Sequence, residues 1–358
     1  MKSHSELIFW LALNNILYAS PLIAKKLLEI YNSPKNVFHA LSGMPMTEGA
    51  LHSVKIFKDW DLCENDLKRC EREGISIITF NDSQYPKLLK EIADPPLLLM
   101  VKGDPEILSG PCISIVGARK ATPHGKDIAF EIARDLAGHG IVVVSGMAYG
   151  IDAAAHAGAI ETGRTIAVWG SGIDRCYPLP FKDLSEKIVR CGCVVSEFPL
   201  GTPPNAWNFP QRNRIISGLS LGVIVVEAAA KSGSLITSGF ALEQGREVFA
   251  VPGPACGTMS QGTHMLLRSG ATFVERAEDV IAAVAPQMSF PSKNSRHLTH
   301  VDSNDRPMLN CISGEGSSLD VIIRQSGLPS SDVLRELTLL TLEGAVEELP
   351  GKQYRRKK

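Results

Sequence analysis

Apolar residues recur every three to four positions through the first 72 residues, and that spacing predicts a helical segment. Leu7 to Leu13 opens it. Asn14-Asn15 interrupts the run and helical spacing resumes beyond, so a folded helix fits better than a signal peptide. Ser20-Pro21 places an N-cap and then N1 before a helix carrying Leu22, Ile23, Leu27, Leu28 and Ile30, and Ser33-Pro34 opens another. A turn is expected over 41–45 and helices over 47–59 and 63–72. From Gly74 the period changes: Ile75–Phe80 and Leu97–Val101 read as strands. Between Cys112 and Ala285 strands at 112–116, 141–145, 165–169, 193–196, 222–226 and 247–251 alternate with helices at 124–138, 151–161, 181–190, 211–219, 234–244 and 276–284. Apolar strands in that alternation predict an α/β fold with a doubly wound, parallel sheet. Pro286 to Asp305 is polar and aperiodic, as a linker is. Beyond it, helices ending at Ile312 and covering Ser318–Gln325 precede a turn at Gly327-Leu328-Pro329. A third helix over Ser330–Leu342 and a strand pair near Ala345–Glu348 and Gln353–Arg355 complete a winged-helix layout. The expected divisions are 1–72, 73–285, the linker 286–305, and 306–358.

The strand-following loops differ from those at the other edge. Gly117-Ala118-Arg119-Lys120, Ser145-Gly146 with Tyr149-Gly150, Gly170 to Tyr177 with Arg175, and Phe209-Pro210-Gln211-Arg212-Asn213-Arg214 all fall at carboxyl ends of strands. So does Ser232-Gly233-Ser234 with Thr237, at the start of a helix. The opposite loops, such as Gly138-His139-Gly140, read as plain helix ends. Doubly wound sheets bind ligands outside the carboxyl ends of their strands, and a small-residue helix start offers unpartnered N–H groups to an anion.

Composition narrows the ligand. A net charge of -1 over 358 residues excludes a uniformly basic coat but permits a basic groove. The eight cysteines include no C-x-x-C and read as reduced thiols of a cytoplasmic protein; Cys191 and Cys193 lack further ligands for a metal. No run reaches the roughly 18 apolar residues of a membrane span. Gly117-Ala118-Arg119 replaces a dinucleotide-binding G-x-G-x-x-G, and Gly125-Lys126 is followed by Asp127 rather than the hydroxyl of a P-loop. No nucleophile elbow or His-Glu-x-x-His occurs, so no catalytic residue, metal site or cofactor is expected. What remains is a set of cations (Arg119, Arg175, Lys182, Arg212, Arg214) interleaved with Tyr149, Tyr177, Trp207 and Phe209. Arginine among aromatics suits single-stranded nucleic acid, whose bases are free to stack. The third C-terminal helix offers Asp332, Arg335 and Glu336, a poor set for reading duplex DNA, and Lys352, Arg355, Arg356, Lys357 and Lys358 form a basic tail.

The chain resembles the DNA-processing protein A family (DprA, also called Smf) over nearly its full length. The resemblance rests on Ile115–Arg119, Ser145-Gly146-Met147-Ala148-Tyr149-Gly150-Ile151-Asp152, Ser196–Gly201, Phe209–Ile216 and Ser232–Thr237. Ala118 stands where the family signature has Ser. The resemblance implies an extended Rossmann-like domain between an N-terminal sterile-alpha-motif-like (SAM-like) helical domain and a winged helix. It implies single-stranded DNA binding, a homodimer formed through the Rossmann-like domain, and loading of RecA recombinase in natural transformation, without catalysis. The DNA-binding residues so expected are Gly117, Arg119, Lys120, Ser145, Gly146, Arg175, Lys182, Phe209, Arg212, Arg214, Ser232, Gly233, Ser234 and Thr237. The alternative is a phosphoribohydrolase-like enzyme on the same fold. Against it, Lys231–Thr237 lacks the paired glycines and glutamate of the P-G-G-x-G-T-x-x-E motif, which leaves Glu197 or Glu227 as a base, or as a helix cap or groove wall.

Overall fold

The computed structural model describes residues 3–42, 49–285, 311–313, 316–328, 330, 333–334, 337, 340–341, 346–349 and 353–356, and it divides into two units, Met1–Met288 and Ser289–Lys358. The first opens with helices α1 (His4–Leu17), α2 (Pro21–Tyr31), α3 (Pro34–Ser42), α4 (Gly49–Lys55) and α5 (Trp60–Glu73). Ser3 caps α1 by accepting the Glu6 N–H at 3.3 Å, and Gly74, at φ 66°, ends α5 in the left-handed conformation glycine tolerates. The turn expected over 41–45 falls largely outside the described residues.

Strands β1 (Ile75–Thr79) and β2 (Leu98–Gly103) bracket the short helix α6 (Lys87–Glu91). The alternation then runs β3 (Cys112–Val116), α7 (Pro123–Gly138), β4 (Val142–Ser145), α8 (Ile151–Thr162), β5 (Thr165–Val168), α9 (Lys182–Cys191) and β6 (Cys193–Ser196). It continues with α10 (Asn208–Gly218), β7 (Gly222–Val225), α11 (Ser234–Glu243), β8 (Glu247–Ala250), α12 (Gln261–Arg268), β9 (Thr272–Phe273) and α13 (Ala277–Val284). The nine strands form one sheet in the order β1-β2-β6-β5-β4-β3-β7-β8-β9. From β6 to β9 all neighbours are parallel, while β2 lies antiparallel to both β1 and β6. This is the expected Rossmann-like, mostly parallel, doubly wound sheet.

The central parallel strands β3 to β7 bury both faces, which is why their runs are apolar. Ile113, Ile115, Val143 and Ile224 pack under α7, α8 and α13, whereas Val144, Val195 and Val223 meet Ile215 and Ile216 of α10 and Leu219 at its C-cap on the other face. The N-terminal helices share a core with the sheet edge: Trp10, Leu13, Cys63 and Leu67 cluster with Leu98, Met100, Trp169 and Val194. Among the described residues, no helix is long and apolar enough to cross a membrane.

Three features depart from the expected pattern. α10 begins at Asn208, so Pro210 falls in its first turn, where the missing N–H costs nothing. α12 and the two-residue β9 fall where the sequence predicts no element, being too short for periodicity to mark. The second unit pairs β10 (Ser317–Ser318), β11 (Val346–Leu349) and β12 (Gln353–Arg356) in the order β10-β12-β11, with helix α14 (Leu319–Ser326). Ile322, Val333, Leu337, Leu340, Val346 and Tyr354 form its core. The linker, much of the helix before Ile312, and Asp332, Arg335, Glu336, Lys352, Lys357 and Lys358 lie outside the described residues.

Candidate nucleic-acid interface

The chain leaves β3 for β4 in one direction and reaches β7, β8 and β9 in the other, so β3 and β7 are parallel neighbours whose exits diverge. A crevice opens between them. It encloses about 350 Å³ and is lined by Gly117 to Lys120 after β3, by Ser232, Gly233, Ser234 and Thr237 at the start of α11, and by Phe209, Arg212 and Asn213 of α10. The two exits are stitched together. Ala118 N–H donates to the Glu227 carbonyl at 2.7 Å, and Val226 N–H to the Val116 carbonyl at 3.1 Å. Gly117 has no room for a side chain, since a Cβ there would lie 2.5 Å from Ile151 Cγ1.

Cations line this crevice at two depths. Arg119 and Lys120 are exposed at the rim. Arg212, only 4% exposed, forms the floor. Its guanidinium donates to the Gly146 carbonyl at 2.7 Å and to the Val168 carbonyl, closing the ends of β4 and β5. Gly146 makes this possible, because a Cβ would lie 2.6 Å from Arg212 Nη1. Burial pulls the Arg212 pKa down to about 10, opposed by nearby Asp152, so the charge persists at neutral pH. Burial in turn raises the Asp152 carboxyl, which accepts the Gly146 and Ala148 N–H groups at 3.2 and 3.3 Å. The floor is therefore a buried arginine held by carbonyls and faced by a carboxylate, with a positive rim above it.

Aromatics extend the groove past β4. Arg119 lies over the Phe209 ring, its Cζ 5.5 Å from the centroid, and Tyr177 meets Phe209 at 5.6 Å. A second hollow, lined by Arg119, Gly146, Met147, Tyr149, Tyr177, Pro178, Phe209 and Arg212, adjoins the first and shares its arginines. Asn208 fixes the start of α10 by donating to the Gly170 and Pro203 carbonyls at 2.9 and 3.1 Å.

The structure thus brings together Gly117, Arg119, Lys120, Gly146, Phe209, Arg212, Ser232, Gly233, Ser234 and Thr237. It places four expected residues elsewhere. Ser145 is buried and donates to the Ile115 carbonyl at 2.6 Å. Arg175 is exposed on the β5–α9 loop outside the lining of either hollow. Lys182 lines a different cavity of about 460 Å³, with Lys102, Trp169 and Arg190. Arg214, 1% exposed, turns into the core, where it pairs with Glu197 at 2.6 Å and Asp94 at 2.9 Å. Burial raises the Glu197 carboxyl and Arg214 counters it. Trp207 is exposed and lines neither hollow. Asp152 and Asn213 also line the crevice; both stand in the motif stretches, though neither is among the expected DNA-binding residues.

The DNA recombination-mediator protein A family model matches residues 76–285, and the DprA winged helix domain model matches residues 293–352. Protein Smf of Escherichia coli (strain K12) is 37% identical over 299 residues, covering 80% of this chain and 79% of that protein. Among solved structures, DNA processing protein A (DprA) from Streptococcus pneumoniae superposes with a TM-score of 0.63 at 34% identity, over 79% of this chain and 98% of that one. DNA processing protein A from Helicobacter pylori, described for its single-stranded DNA binding mode, gives a TM-score of 0.54 at 30% identity, over 60% of this chain and 98% of that one.

Proposed function

The chain belongs to the DNA recombination-mediator protein A family, and from that premise we propose that its β3–β7 groove binds single-stranded DNA. The observation that carries this reading is the stacking of charge and ring: Arg119 over Phe209, Phe209 against Tyr177, with Arg212 beneath. Phosphates meet Arg119, Lys120 and the N–H groups at the start of α11, while unpaired bases lie on the rings. A duplex hides those faces.

The wider role is that of a non-enzymatic cytoplasmic mediator which holds incoming single strands and passes them to RecA recombinase during natural transformation. In support, both candidate bases are otherwise engaged. Glu197 pairs with Arg214 in the core, and Glu227 accepts the Thr122 N–H and hydroxyl at 2.9 and 2.6 Å. Neither lines the crevice or the adjoining hollow, which weighs against a phosphoribohydrolase. A homodimer through this unit is supported by Phe273, an exposed aromatic on the edge strand β9.

The test is fluorescence anisotropy with a labelled oligonucleotide, single-stranded against duplex, over a salt series. Single strands bind more tightly, with an affinity that falls steeply with salt. Arg119→Ala weakens binding roughly 10–100-fold, the worth of a charge-assisted contact. Equal affinity for the two forms, or indifference to the substitution, overturns the reading.

A further inference from the structure

Glu227 is an acidic residue next to an anion site, and that position asks for a reason. It is the second residue beyond β7, at the point where the chain diverges from β3. Its backbone carbonyl accepts the Ala118 N–H at 2.7 Å. Its carboxylate accepts the Thr122 N–H at 2.9 Å and the Thr122 hydroxyl at 2.6 Å. The same hydroxyl accepts the Gly125 N–H at 3.0 Å, as the N-cap of α7. Gly125 leaves space for this, since a Cβ there would lie 2.4 Å from Glu227 Cδ. Both ends of segment 118–122 are thus tied to one residue, and between them stand the exposed Arg119 and Lys120. The carboxylate itself does not line the crevice; it faces the N-terminus of α7, where a negative charge is favoured.

We propose that Glu227 is a positioning residue for single-stranded DNA binding: it clamps the β3–α7 loop so that Arg119 and Lys120 stand over the groove at a fixed spacing. The inference rests on the binding function proposed above. It runs against simple electrostatics, which makes it testable by sign. A carboxylate near a phosphate path repels the ligand, so deleting an idle one strengthens binding or leaves it unchanged. Deleting a clamp weakens binding, because two long cationic side chains then have to be ordered by the DNA itself.

The experiment measures single-stranded oligonucleotide affinity against salt for the full-length wild type, Glu227→Ala, Glu227→Gln, Thr122→Val and the Arg119→Ala/Glu227→Ala pair, with thermal unfolding alongside. Glu227→Ala weakens binding roughly tenfold, the scale of a lost charge-assisted hydrogen bond. The salt slope falls by about 0.7 for each phosphate contact given up. Glu227→Gln keeps one acceptor and falls in between, and Thr122→Val, close in shape, shifts affinity and slope the same way. In the Arg119→Ala background the cost of Glu227→Ala shrinks, because the side chain it positions is gone. A Glu227→Ala protein that melts like wild type and binds as tightly or more tightly, with an unchanged slope, overturns the proposal. So does a cost undiminished without Arg119. If Glu227→Ala fails to fold, Thr122→Val and Glu227→Gln decide by the same slope. Wild type failing to bind at all strikes the binding function itself; wild-type binding lost in Arg119→Ala but kept in the Glu227 and Thr122 variants strikes only the clamp.

Discussion

Arg212 and Arg214 are two positions apart on α10, and a helix turns about 200° over that interval. Both cannot face one groove. Arg212 meets the strand ends, and Arg214 is enclosed by Glu197 and Asp94. Arg214→Ala leaves Glu197 buried without its partner and costs about 3–5 kcal/mol of stability. Chemical denaturation reads that loss, while the folded fraction binds single-stranded DNA as wild type does; Arg119→Ala shows the reverse. His156 adds a pH dependence. The Thr165 hydroxyl donates to the Val143 carbonyl at 2.7 Å, so His156 Nδ1, 2.7 Å from that hydroxyl, carries the proton, and Nε2 is buried without a partner. Burial pushes the pKa of His156 down to about 3. An unfolded histidine titrates near 6.5, so between the two values the unfolded state binds one more proton. The stability contributed by neutral His156 is whole above about pH 6.5 and is lost as pH falls toward about 3, at about 1.4 kcal/mol per pH unit. Denaturant titrations across that window show a slope that His156→Gln lowers by one proton.

At the level of elements, two glycines of the groove make opposite demands. Gly117 faces Ile151 Cγ1 and the Glu227 carbonyl at 2.5 and 3.0 Å from a would-be Cβ, whereas Gly233 has nothing within 4 Å and an ordinary φ of -62°. Gly117→Ala therefore forces α8 or the β7 exit to shift and lowers the melting temperature. Gly233→Ala leaves stability near wild type, and any loss of affinity it brings reports DNA seated on the α11 N-terminus. Differential scanning fluorimetry beside anisotropy separates the two. The strand–helix alternation was legible because each central strand is buried on both faces, and the groove was legible because glycine, hydroxyl, arginine and aromatic residues recur together at the strand exits, while opposite loops such as Gly138-His139-Gly140 read as plain helix ends. β9 and α12 were not legible: two strand residues and eight helical ones, with Gly262 inside the helix and Gly270 between the two elements, carry too little period. Nor could spacing show that Glu227 reaches Thr122, a contact made only when β3 and β7 become neighbours.

Among the described residues, every residue that lines the groove comes from the unit Met1–Met288. The N-terminal helices belong to that arrangement rather than hanging from it. Arg69 of α5 binds Asp174 Oδ2 at 2.9 Å, and Asp174 Oδ1 accepts the Gly201 N–H at 2.8 Å, which braces the loop carrying Tyr177. Gln211 of α10 donates to the Tyr18 carbonyl at 2.8 Å, and Asn14 to the Glu197 carbonyl at 3.1 Å. Removing α1–α5 would expose the apolar face of β2 and release two groove loops together, so loss of that segment costs both folding and binding. The C-terminal unit has a core of its own, centred on Ile322, Leu337 and Tyr354. A chain ended after residue 288 therefore stays folded and binds a short single-stranded oligonucleotide within about twofold of the full-length protein, because each unit buries a core of its own. Measured at one salt concentration, a tenfold loss on that truncation would mean that the winged helix supplies part of the DNA site. Retained affinity, with altered transfer of the strand to RecA in the role proposed above, would assign it to the partner instead.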